Sequence, residues 1–430
     1  MHSKHLRISV VVAVWAICTA CNGCFGCKAP PDRPGSTLSK SCDEEQPIVK
    51  PQQLDILFVI DNSSSMREEQ EGVARELTTF VSKLRMAGGV QQDIRVGAIT
   101  TTVYENFAEG GAPPFLKICS NGTGFYCPQS GKLQPVPDRL PDGGFVPGTG
   151  SQRKIDADDP ELVDKFARLV QQGVDFNSGQ ETPFEALRIA LVDEMARPLE
   201  QGGNGGFLRD GARLLIVVLT DEDDCSEKVR PPTVTVGRQP EVDYCGDKGM
   251  QLTSVAEYFD ILNGLKNPDG SKRDVVYTTI GPVSTVNKAA MKVLTPVVTD
   301  AGTYQQVRNI DCPTSIQPGF RHRAMTELFD PKLENLASIC QASYAQTLID
   351  IASLAGIQQT LEIEGVPDPG VLQLIIRRAD DTLQSCTIDN GGFTWQAPTE
   401  AAPVGRATFT PSCLRRLDDL ELKIERLCIF

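Results

Sequence analysis

The sequence predicts an α/β domain with a doubly wound, mostly parallel β-sheet, long insertions between its elements and a small β-rich module after it. Two apolar runs, Leu54–Ile60 and Leu214–Leu219, indicate central strands, because parallel strands buried on both faces are almost continuously apolar. Between such runs, apolar residues recur at helical spacing. With 430 residues, the chain is long enough for one large domain with additions or for two domains.

The predicted elements alternate from residue 54 to residue 354. Strands at Ile94–Ile99 and Val275–Ile280 accompany the two central ones. This alternation of strands and helices predicts the doubly wound sheet. Helices are predicted at Val73, Leu77, Phe80, Val81 and Leu84; at Leu162, Phe166, Leu169 and Val170; at Phe184, Leu187, Leu191 and Met195; at Tyr258, Phe259 and Leu262; and from about Lys332 to Leu354.

Long loops separate these elements. Loops of such length are usually either functional or fastened in place. Local cysteine pairs would fasten them, although spacing alone does not establish which cysteines pair. The loops cover residues 104–155, 197–211, 222–250 and 282–330. The pairs we expect are Cys119–Cys127, Cys225–Cys245 and Cys312–Cys340, together with Cys386–Cys413 in the C-terminal module.

After Gly356 the apolar pattern changes to the period of two that is typical of strands, as at Leu372–Ile376. Residues 420–424 alternate in the same way, but residues 417–427 also fit a helix; we prefer the strand. The predicted organisation is therefore a signal peptide at 1–20, a tether at 21–50, the α/β domain at 51–356 and a small β-rich module at 357–430.

The N-terminus predicts export. A short basic start precedes an apolar run, Ile8 to Cys18, that is too short for a typical membrane span. Thr19 and Ala20 before Cys21 resemble the lipobox of bacterial lipoproteins, which implies acylation of Cys21; a plain secretory signal is the alternative. Without Cys18 and Cys21, twelve of the fourteen cysteines remain, an even number that suits disulfides. We expect an exported, outer-membrane lipoprotein of a bacterial envelope, facing the periplasm or the cell surface and held to the membrane by lipid alone.

Several function classes are disfavoured. The net charge of −14 argues against nucleic acid as a partner, since such binding needs a basic surface. Two of the three histidines fall in the predicted signal peptide, and His322 lies between two arginines in an insertion, where we expect a solvated or capping role. The sequence motifs of zinc peptidases, nucleophile-elbow hydrolases and P-loop enzymes are absent. We predict a non-enzyme, with a hydrolase built on the insertions as the less favoured alternative.

Hard oxygen donors stand at three element ends that should meet at one edge of the sheet. The donors are Asp61, Ser63 and Ser65 after the first strand, Thr182 before a helix, and Asp221 after the strand Leu214–Leu219. Ligands bind at this edge in open α/β sheets, although the first segment alone would also suit a helix-capping turn. Two carboxylates and three hydroxyls suit a hard divalent cation, with Mg²⁺ as the first candidate and Mn²⁺ or Ca²⁺ as alternatives. Glu181 and Asp223 are possible additional acidic ligands.

These motifs resemble the metal-ion-dependent adhesion site of von Willebrand factor A domains. The family pattern Asp-x-Ser-x-Ser is met by Asp61, Ser63 and Ser65, the family threonine by Thr182 and the family aspartate by Asp221. The resemblance covers about residues 52–355 and implies a Rossmann-like fold in which the serines and the threonine ligate the metal directly, and the aspartates directly or through water. Gln180 and Glu181 depart from the small residues that are commoner before the threonine.

The chain also resembles the A-domain lipoproteins of bacterial envelopes, through the segment Leu219–Cys225, the segment Ser338–Cys340 and the C-terminal module. From the predicted cation site, our first hypothesis is an envelope-anchored adhesion module whose protein partner offers an acidic side chain to the metal. The alternative is a structural or assembly component of the envelope, in which the cation only stabilises the loops.

Overall fold

The structure of the chain is a computed structural model. The predicted signal peptide at 1–20, the acylation candidate Cys21 and the predicted pair Cys119–Cys127 lie outside the described residues. The described residues are 38–41, 47–85, 90–103, 105–107, 115–117, 129–140, 145–146, 148, 150–172, 181–228, 244–247, 249–299, 302–366, 369–399, 404–416 and 418–429. The chain divides into two compact units, Pro51–Gln358 and a smaller one made of Met1–Lys50 with Gln359–Phe430.

The described residues contain short and long strands and seven α-helices. The strands are β1 (Leu38–Ser41), β2 (Ile48–Val49), β3 (Gln52–Ile60), β4 (Gln92–Thr100), β5 (Glu105–Phe107), β6 (Phe115–Lys117), β7 (Asp138–Arg139), β8 (Phe145–Val146), β9 (Ile155–Asp156), β10 (Arg213–Leu219), β11 (Val275–Gly281), β12 (Lys292–Thr299), β13 (Gly302–Asn309), β14 (Leu336–Ser338), β15 (Thr360–Glu364), β16 (Leu372–Arg377), β17 (Leu383–Cys386), β18 (Phe393–Gln396), β19 (Gly405–Phe409) and β20 (Glu421–Ile429). The helices are α1 (Arg67–Arg85), α2 (Leu162–Leu169), α3 (Pro183–Arg188), α4 (Tyr244–Asp247), α5 (Val255–Asn263), α6 (Phe320–Phe329) and α7 (Ala345–Gly356).

The described residues of the larger unit build a six-stranded sheet in the order β14-β11-β10-β3-β4-β9. The first five of these strands run parallel, and the edge strand β9 is antiparallel to β4. The mixed α/β fold with a mostly parallel sheet is therefore as the sequence predicts. Strands β3 and β10 are neighbours whose register ends on the pair Ile60 and Leu219, so the residues that follow both strands emerge side by side.

Apolar side chains cover both faces of this sheet. Alternate residues of β3 point to opposite faces, so Phe58 and Ile60 join one hydrophobic cluster while Leu57 and Val59 join the other. Residues of α1, α2 and α7 pack in the first cluster, and residues of α3, α5 and α6 pack in the second. The central strands are apolar along most of their length because neither face meets water.

The structure differs from the predicted elements mainly between residues 282 and 354. The predicted helix Lys332–Leu354 is wrong in its first half: β14 pairs with β11, and α7 begins only at Ala345. Leu333 has a left-handed backbone with φ of 57°, which an α-helix running through it could not accommodate. The predicted insertion 282–330 contains the hairpin β12–β13 and helix α6. These elements are short or partly exposed, and such elements show weak apolar periodicity.

The described residues of the smaller unit form two antiparallel sheets, β1-β20-β16-β17 and β18-β19-β15-β2. Strand β20 contains residues 421–424 of the tail, for which the strand is the preferred prediction. Strands β1 and β2 come from the segment interpreted as a tether: Leu38–Ser41 pairs with β20, and Ile48–Val49 pairs with β15. Both chain ends therefore contribute strands to this unit, which apolar periodicity does not reveal for strands of two to four residues.

Three of the predicted cysteine pairs are disulfides within the described part of the chain. They are Cys225–Cys245, Cys312–Cys340 and Cys386–Cys413, with Cα–Cα distances of 5.0, 5.2 and 6.1 Å. Each closes a local loop, and such bonds are typical of exported proteins. Among the residues that the structure describes, no helix is both long enough and apolar enough to cross a bilayer.

A buried ion pair fastens the start of β3. Asp55 is fully buried, its Oδ1 lies 2.7 Å from Arg209 Nε, and the Arg209 backbone N–H donates to Oδ2 at 2.7 Å. The Arg209 guanidinium also donates to the carbonyl oxygens of Leu54 and Asp93. One arginine therefore supports a buried carboxylate and ties the loop before β10 to two strands of the sheet.

We expect Arg209→Met to lower the free energy of unfolding by about 3–5 kcal/mol, because Asp55 would keep its buried charge without the guanidinium that balances it. The control is Arg323→Met, which removes a partly exposed pair with Glu327 and should cost about 0.5 kcal/mol or less. Urea unfolding of both variants beside the wild type measures the two losses. Losses of similar size would contradict the role given to Arg209.

Candidate metal centre

The loop after β3 gathers the first three predicted donors at the carboxyl edge of the sheet. The Ser63 N–H donates to Asp61 Oδ1 at 2.9 Å, a local turn that aspartate side chains favour. The hydroxyl oxygens of Ser63 and Ser65 lie 2.9 Å apart. The Asp61 carboxylate and the hydroxyls of Ser63 and Ser65 therefore lie together at this edge of the sheet.

Asp221 joins this group from the end of β10. Ser65 Oγ donates to Asp221 Oδ1 at 3.3 Å, and Thr220 Oγ1 donates to Asp61 Oδ2 at 2.7 Å. The Asp61 N–H donates to Leu219 O at 2.9 Å, which extends the pairing of β3 with β10 by one residue. The structure thus brings together four of the five predicted donors, Asp61, Ser63, Ser65 and Asp221.

Thr182 and Glu181 reach the same edge from the loop before α3. Thr182 Oγ1 donates to Thr101 O at 3.1 Å, and the Thr101 hydroxyl donates to Glu181 Oε2. Thr101 follows β4, and its N–H donates to Ile60 O at 3.1 Å, immediately before Asp61. Because the Thr182 hydroxyl gives its hydrogen to a carbonyl, its oxygen keeps lone pairs with which to bind a cation.

Among the described residues, the buried carboxylates of this group form no salt bridge. Asp61, Glu181 and Asp221 are fully buried. Burial raises the pKa of all three, and the pKa of Glu181 and Asp221 rises further because these groups feel the negative charge of Asp61 and Glu222. In the described part of the chain, none of the three pairs with a lysine, arginine or histidine, and Glu181 Oε1 and Asp221 Oδ2 have no hydrogen-bond partner.

This donor set fits a hard divalent cation. Carboxylate and hydroxyl oxygens are the ligands that Mg²⁺, Mn²⁺ and Ca²⁺ prefer, and buried negative charge without a partner is unfavourable unless a cation balances it. Across the described ranges, no three side chains among His, Cys, Asp and Glu are arranged as a metal site by themselves. The predicted set combines the carboxylates of Asp61 and Asp221 with the hydroxyls of Ser63, Ser65 and Thr182.

Asp223, the other candidate ligand, points to a helix. Its carboxylate accepts hydrogen bonds from the Arg321 backbone N–H at 3.0 and 3.2 Å, at the start of α6, where negative charge is favourable. Burial raises the pKa of Asp223 to about 8. Its neighbour Asp224 lies 3.0 Å from the Arg321 guanidinium. The structure thus gives Asp223 a capping contact, whereas Glu181 lies with the predicted ligands.

His322 is buried, so the expectation of a solvated or capping side chain is wrong. It belongs to α6, and its ring packs edge-on against Phe184 with 5.3 Å between the ring centres. Neither ring nitrogen has a hydrogen-bond partner among the described residues, and burial lowers the pKa of His322 to about 4. The helix turns this residue inward while its arginine neighbours reach other partners. Among the described residues, no carboxylate is hydrogen-bonded to the ring.

Several parts of the site carry no motif in the sequence. Thr101 and Thr220 each follow a strand directly, and this position is the signal that could have identified them. The Ile316 N–H donates to Asp221 O at 2.9 Å. The segment that the Cys312–Cys340 disulfide fastens therefore reaches the loop that carries Asp221, a contact over almost one hundred residues of sequence that spacing cannot reveal.

No protein-family model matches the chain, and no curated protein matches it. Its structure is similar to the von Willebrand factor type A from Catenulispora acidiphila (12% identity, 88% of this chain and 57% of that one, TM-score 0.30). It is also similar to the pilus adhesin RrgA from Streptococcus pneumoniae (11%, 89% and 58%, 0.26) and to the human COPII-coat protein Sec24c (10%, 76% and 34%, 0.31). The chain spans less than two thirds of each, and likenesses at these TM-scores carry no argument about fold or function.

We expect His322→Phe to reduce the sensitivity of the fold to acid. The folded protein lowers the pKa of His322 from 6.5 to about 4, so folding favours the neutral ring. His322 therefore costs no stability above about pH 6.5, and its cost grows as the pH falls from there towards 4. Urea unfolding of both proteins over this pH range should show the wild type losing stability relative to the variant as the pH falls. A difference that does not change with pH would contradict this account.

Proposed function

We propose that the chain is a divalent-cation-dependent protein-binding module of the von Willebrand factor A type, with a doubly wound sheet. Asp61, Ser63, Ser65, Thr182 and Asp221 would hold the cation, with Mg²⁺ as the first candidate and Mn²⁺ or Ca²⁺ as alternatives. The bound cation would supply a positive charge to which an acidic side chain of a protein partner binds. The observation that carries the proposal is the buried carboxylate group with two unpartnered oxygens at one edge of the sheet.

The position of this group supports a binding role. It lies after β3 and β10, and the chain continues from β3 to β4 on one side but places β10, β11 and β14 on the other. In open α/β sheets, ligands bind where the strand order reverses in this way, because the loops there diverge and leave a crevice. The proposal includes no catalytic activity, since the buried carboxylates are better explained as ligands of a cation than as acid–base groups.

We also propose that the protein is anchored in a bacterial envelope as an outer-membrane lipoprotein acylated at Cys21. The local disulfides support an oxidising compartment. The net charge of −14 supports a protein partner over nucleic acid, whose binding requires a basic surface.

A second candidate function is a structural or assembly component of the envelope whose cation only stabilises the loops. The observation that favours it is burial: Asp61, Thr182 and Asp221 are 0% exposed, so a partner reaches little of the donor set directly. The two candidates differ in one respect. Removing the cation abolishes association in the first and lowers only the melting temperature in the second.

Mg²⁺ should raise the melting temperature of the wild type by a few degrees over EDTA, because a ligand of the folded state stabilises it. Asp221→Asn should lose this increase. In EDTA it should melt no lower than the wild type, since it removes one of several mutually repelling buried charges. Asp223→Asn is the matched control and should keep the increase, because its carboxylate contacts α6. Equal behaviour of the two variants in thermal unfolding would place the cation elsewhere.

Immobilised protein should capture a partner from envelope extract in Mg²⁺, and the capture should vanish in EDTA. Asp61→Ala should abolish capture as well, since it removes the carboxylate that binds both Ser63 and Thr220. Asp223→Asn should capture as the wild type does. A partner that remains bound in EDTA and to Asp61→Ala would refute cation-dependent binding and favour the structural function.

A further inference from the structure

A small cavity lies between helix α1 and the segment that connects β14 to α7. Its volume is about 240 Å³, and α1 contributes Glu68, Glu69, Gly72 and Glu76 to its wall. Strands β3 and β14 run parallel in one sheet, so the chain leaves both of them at the same carboxyl edge before it enters α1 and α7. The cavity therefore lies towards the edge that carries the candidate metal centre, but none of its described lining residues belongs to the predicted donor set.

Glu69 is a buried carboxylate in the wall of this cavity. The residue is only 6% exposed, and its Oε2 has no hydrogen-bond partner among the described residues. Burial raises the pKa of Glu69, and a hydrogen bond with the Thr314 side chain offsets part of this effect. The dipole of α1 favours acidic residues in its first turn, yet a buried carboxylate oxygen without a donor is still unfavourable. The cavity beside Glu69 has room for the donor that this oxygen lacks.

The wall of the cavity carries more negative than positive charge. Glu68 and Glu76 lie on α1 with Glu69, and neither forms a salt bridge among the described residues. Arg75 is the only basic side chain among the described lining residues, so three carboxylates accompany one guanidinium. Within the described ranges, these carboxylates are not arranged as a metal site. The charge of the wall therefore favours an organic cation as the ligand.

Tyr344 gives the cavity an apolar wall in a fixed position. Its hydroxyl donates to Ile339 O at 2.6 Å. Gly72 leaves room for the ring, since a Cβ at this position would lie 2.8 Å from Tyr344 Cε2. The alkyl stem of a long basic side chain packs well on such a surface. The volume is below the roughly 300–1,000 Å³ of pockets for small molecules, so the cavity suits a single side chain better than a whole metabolite.

We propose that this cavity binds the side chain of a lysine that a protein partner presents, with the lysine ammonium donating to Glu69 Oε2. Because Thr314 already binds the Glu69 carboxyl, one oxygen is left for the ligand. A single oxygen suits an ammonium, whereas the planar guanidinium of arginine is matched best by two. The negative charges of Glu68 and Glu76 attract the ammonium. This inference goes beyond the proposed cation-dependent function and does not rest on it.

The test uses the full chain in EDTA, so that no bound metal ion contributes. Saturation-transfer NMR titrations measure the affinity of three capped tripeptides, acetyl-Gly-X-Gly amides in which X is lysine, arginine or norleucine. The lysine peptide should bind most tightly and the arginine peptide more weakly. The norleucine peptide keeps an alkyl stem without the charge, and it should bind about tenfold or more weakly than the lysine peptide. Equal binding of the lysine and norleucine peptides would overturn the proposal, even without any variant.

Glu69→Gln should weaken binding of the lysine peptide about tenfold or more, because it removes the charge that strengthens the hydrogen bond. It should melt no lower than the wild type in EDTA, since it removes a buried charge that forms no salt bridge among the described residues. Glu76→Gln, at a half-buried position, should weaken binding about two- to threefold. Glu71→Gln is the matched control: this exposed residue of α1 does not line the cavity and should leave the affinity unchanged.

Two further results would contradict the proposal. One is an equal affinity of Glu69→Gln and Glu71→Gln for the lysine peptide. The other is putrescine binding about tenfold or more tightly than the lysine peptide, which would assign the cavity to a free diamine instead of a protein side chain. Since all of these measurements are made in EDTA, their outcome is separate from that of the cation-dependent capture experiment.

Discussion

The in-register pairing of β3 with β10 is the constraint on which the candidate site depends. The two parallel strands pair from Leu54 with Arg213 to Ile60 with Leu219, and the Asp61 N–H extends the ladder by one bond. A slip of one residue would turn every side chain of a strand to the opposite face, which two separate hydrophobic clusters forbid. The packing of the core therefore delivers Asp61 and Asp221 to one place, although 160 residues separate them in the chain.

The chain buries carboxylates in two different ways. Asp55 is as deeply buried as Asp61, but Arg209 binds both of its oxygens, and the pair holds a loop to the sheet. Asp61 has hydrogen-bond donors alone, and Asp221 and Glu181 each keep one oxygen without a partner. Burial of negative charge is unfavourable without a counter-charge. The contrast separates a buried carboxylate that an arginine balances from buried carboxylates that form no ion pair among the described residues.

Two disulfides and two backbone hydrogen bonds connect the long insertions to the candidate site. The Cys225–Cys245 disulfide closes the loop that begins just after Asp221, and Cys312–Cys340 holds the segment whose Ile316 N–H binds Asp221 O. At the start of helix α6, the Arg321 N–H donates a hydrogen bond to the carboxylate of Asp223. The surface around the centre is thus built from segments with little periodic pattern, and such segments are where partner specificity is usually located.

The sequence by itself determined the strongest strands and the positions of the oxygen donors along the chain, and it predicted three local disulfides that the structure contains. Each of these features leaves a local pattern. Leu54–Ile60 and Leu214–Leu219 are apolar runs, and Asp61 and Asp221 stand at their ends. Only the tertiary structure decided the rest. Strands as short as β1, β2 and β14 exist through the partners that bind them, and these partners are remote in sequence.

The roles of three side chains were also decided by tertiary contacts. His322 stands between two arginines in the sequence, yet helix α6 buries it against Phe184. Asp223 and Glu181 both carry a carboxyl group within two residues of a predicted donor, but Asp223 binds the N–H groups that begin α6 and Glu181 binds Thr101. A residue type fixes which chemistry a side chain can offer. The neighbours that folding brings to it fix which of those chemistries it uses.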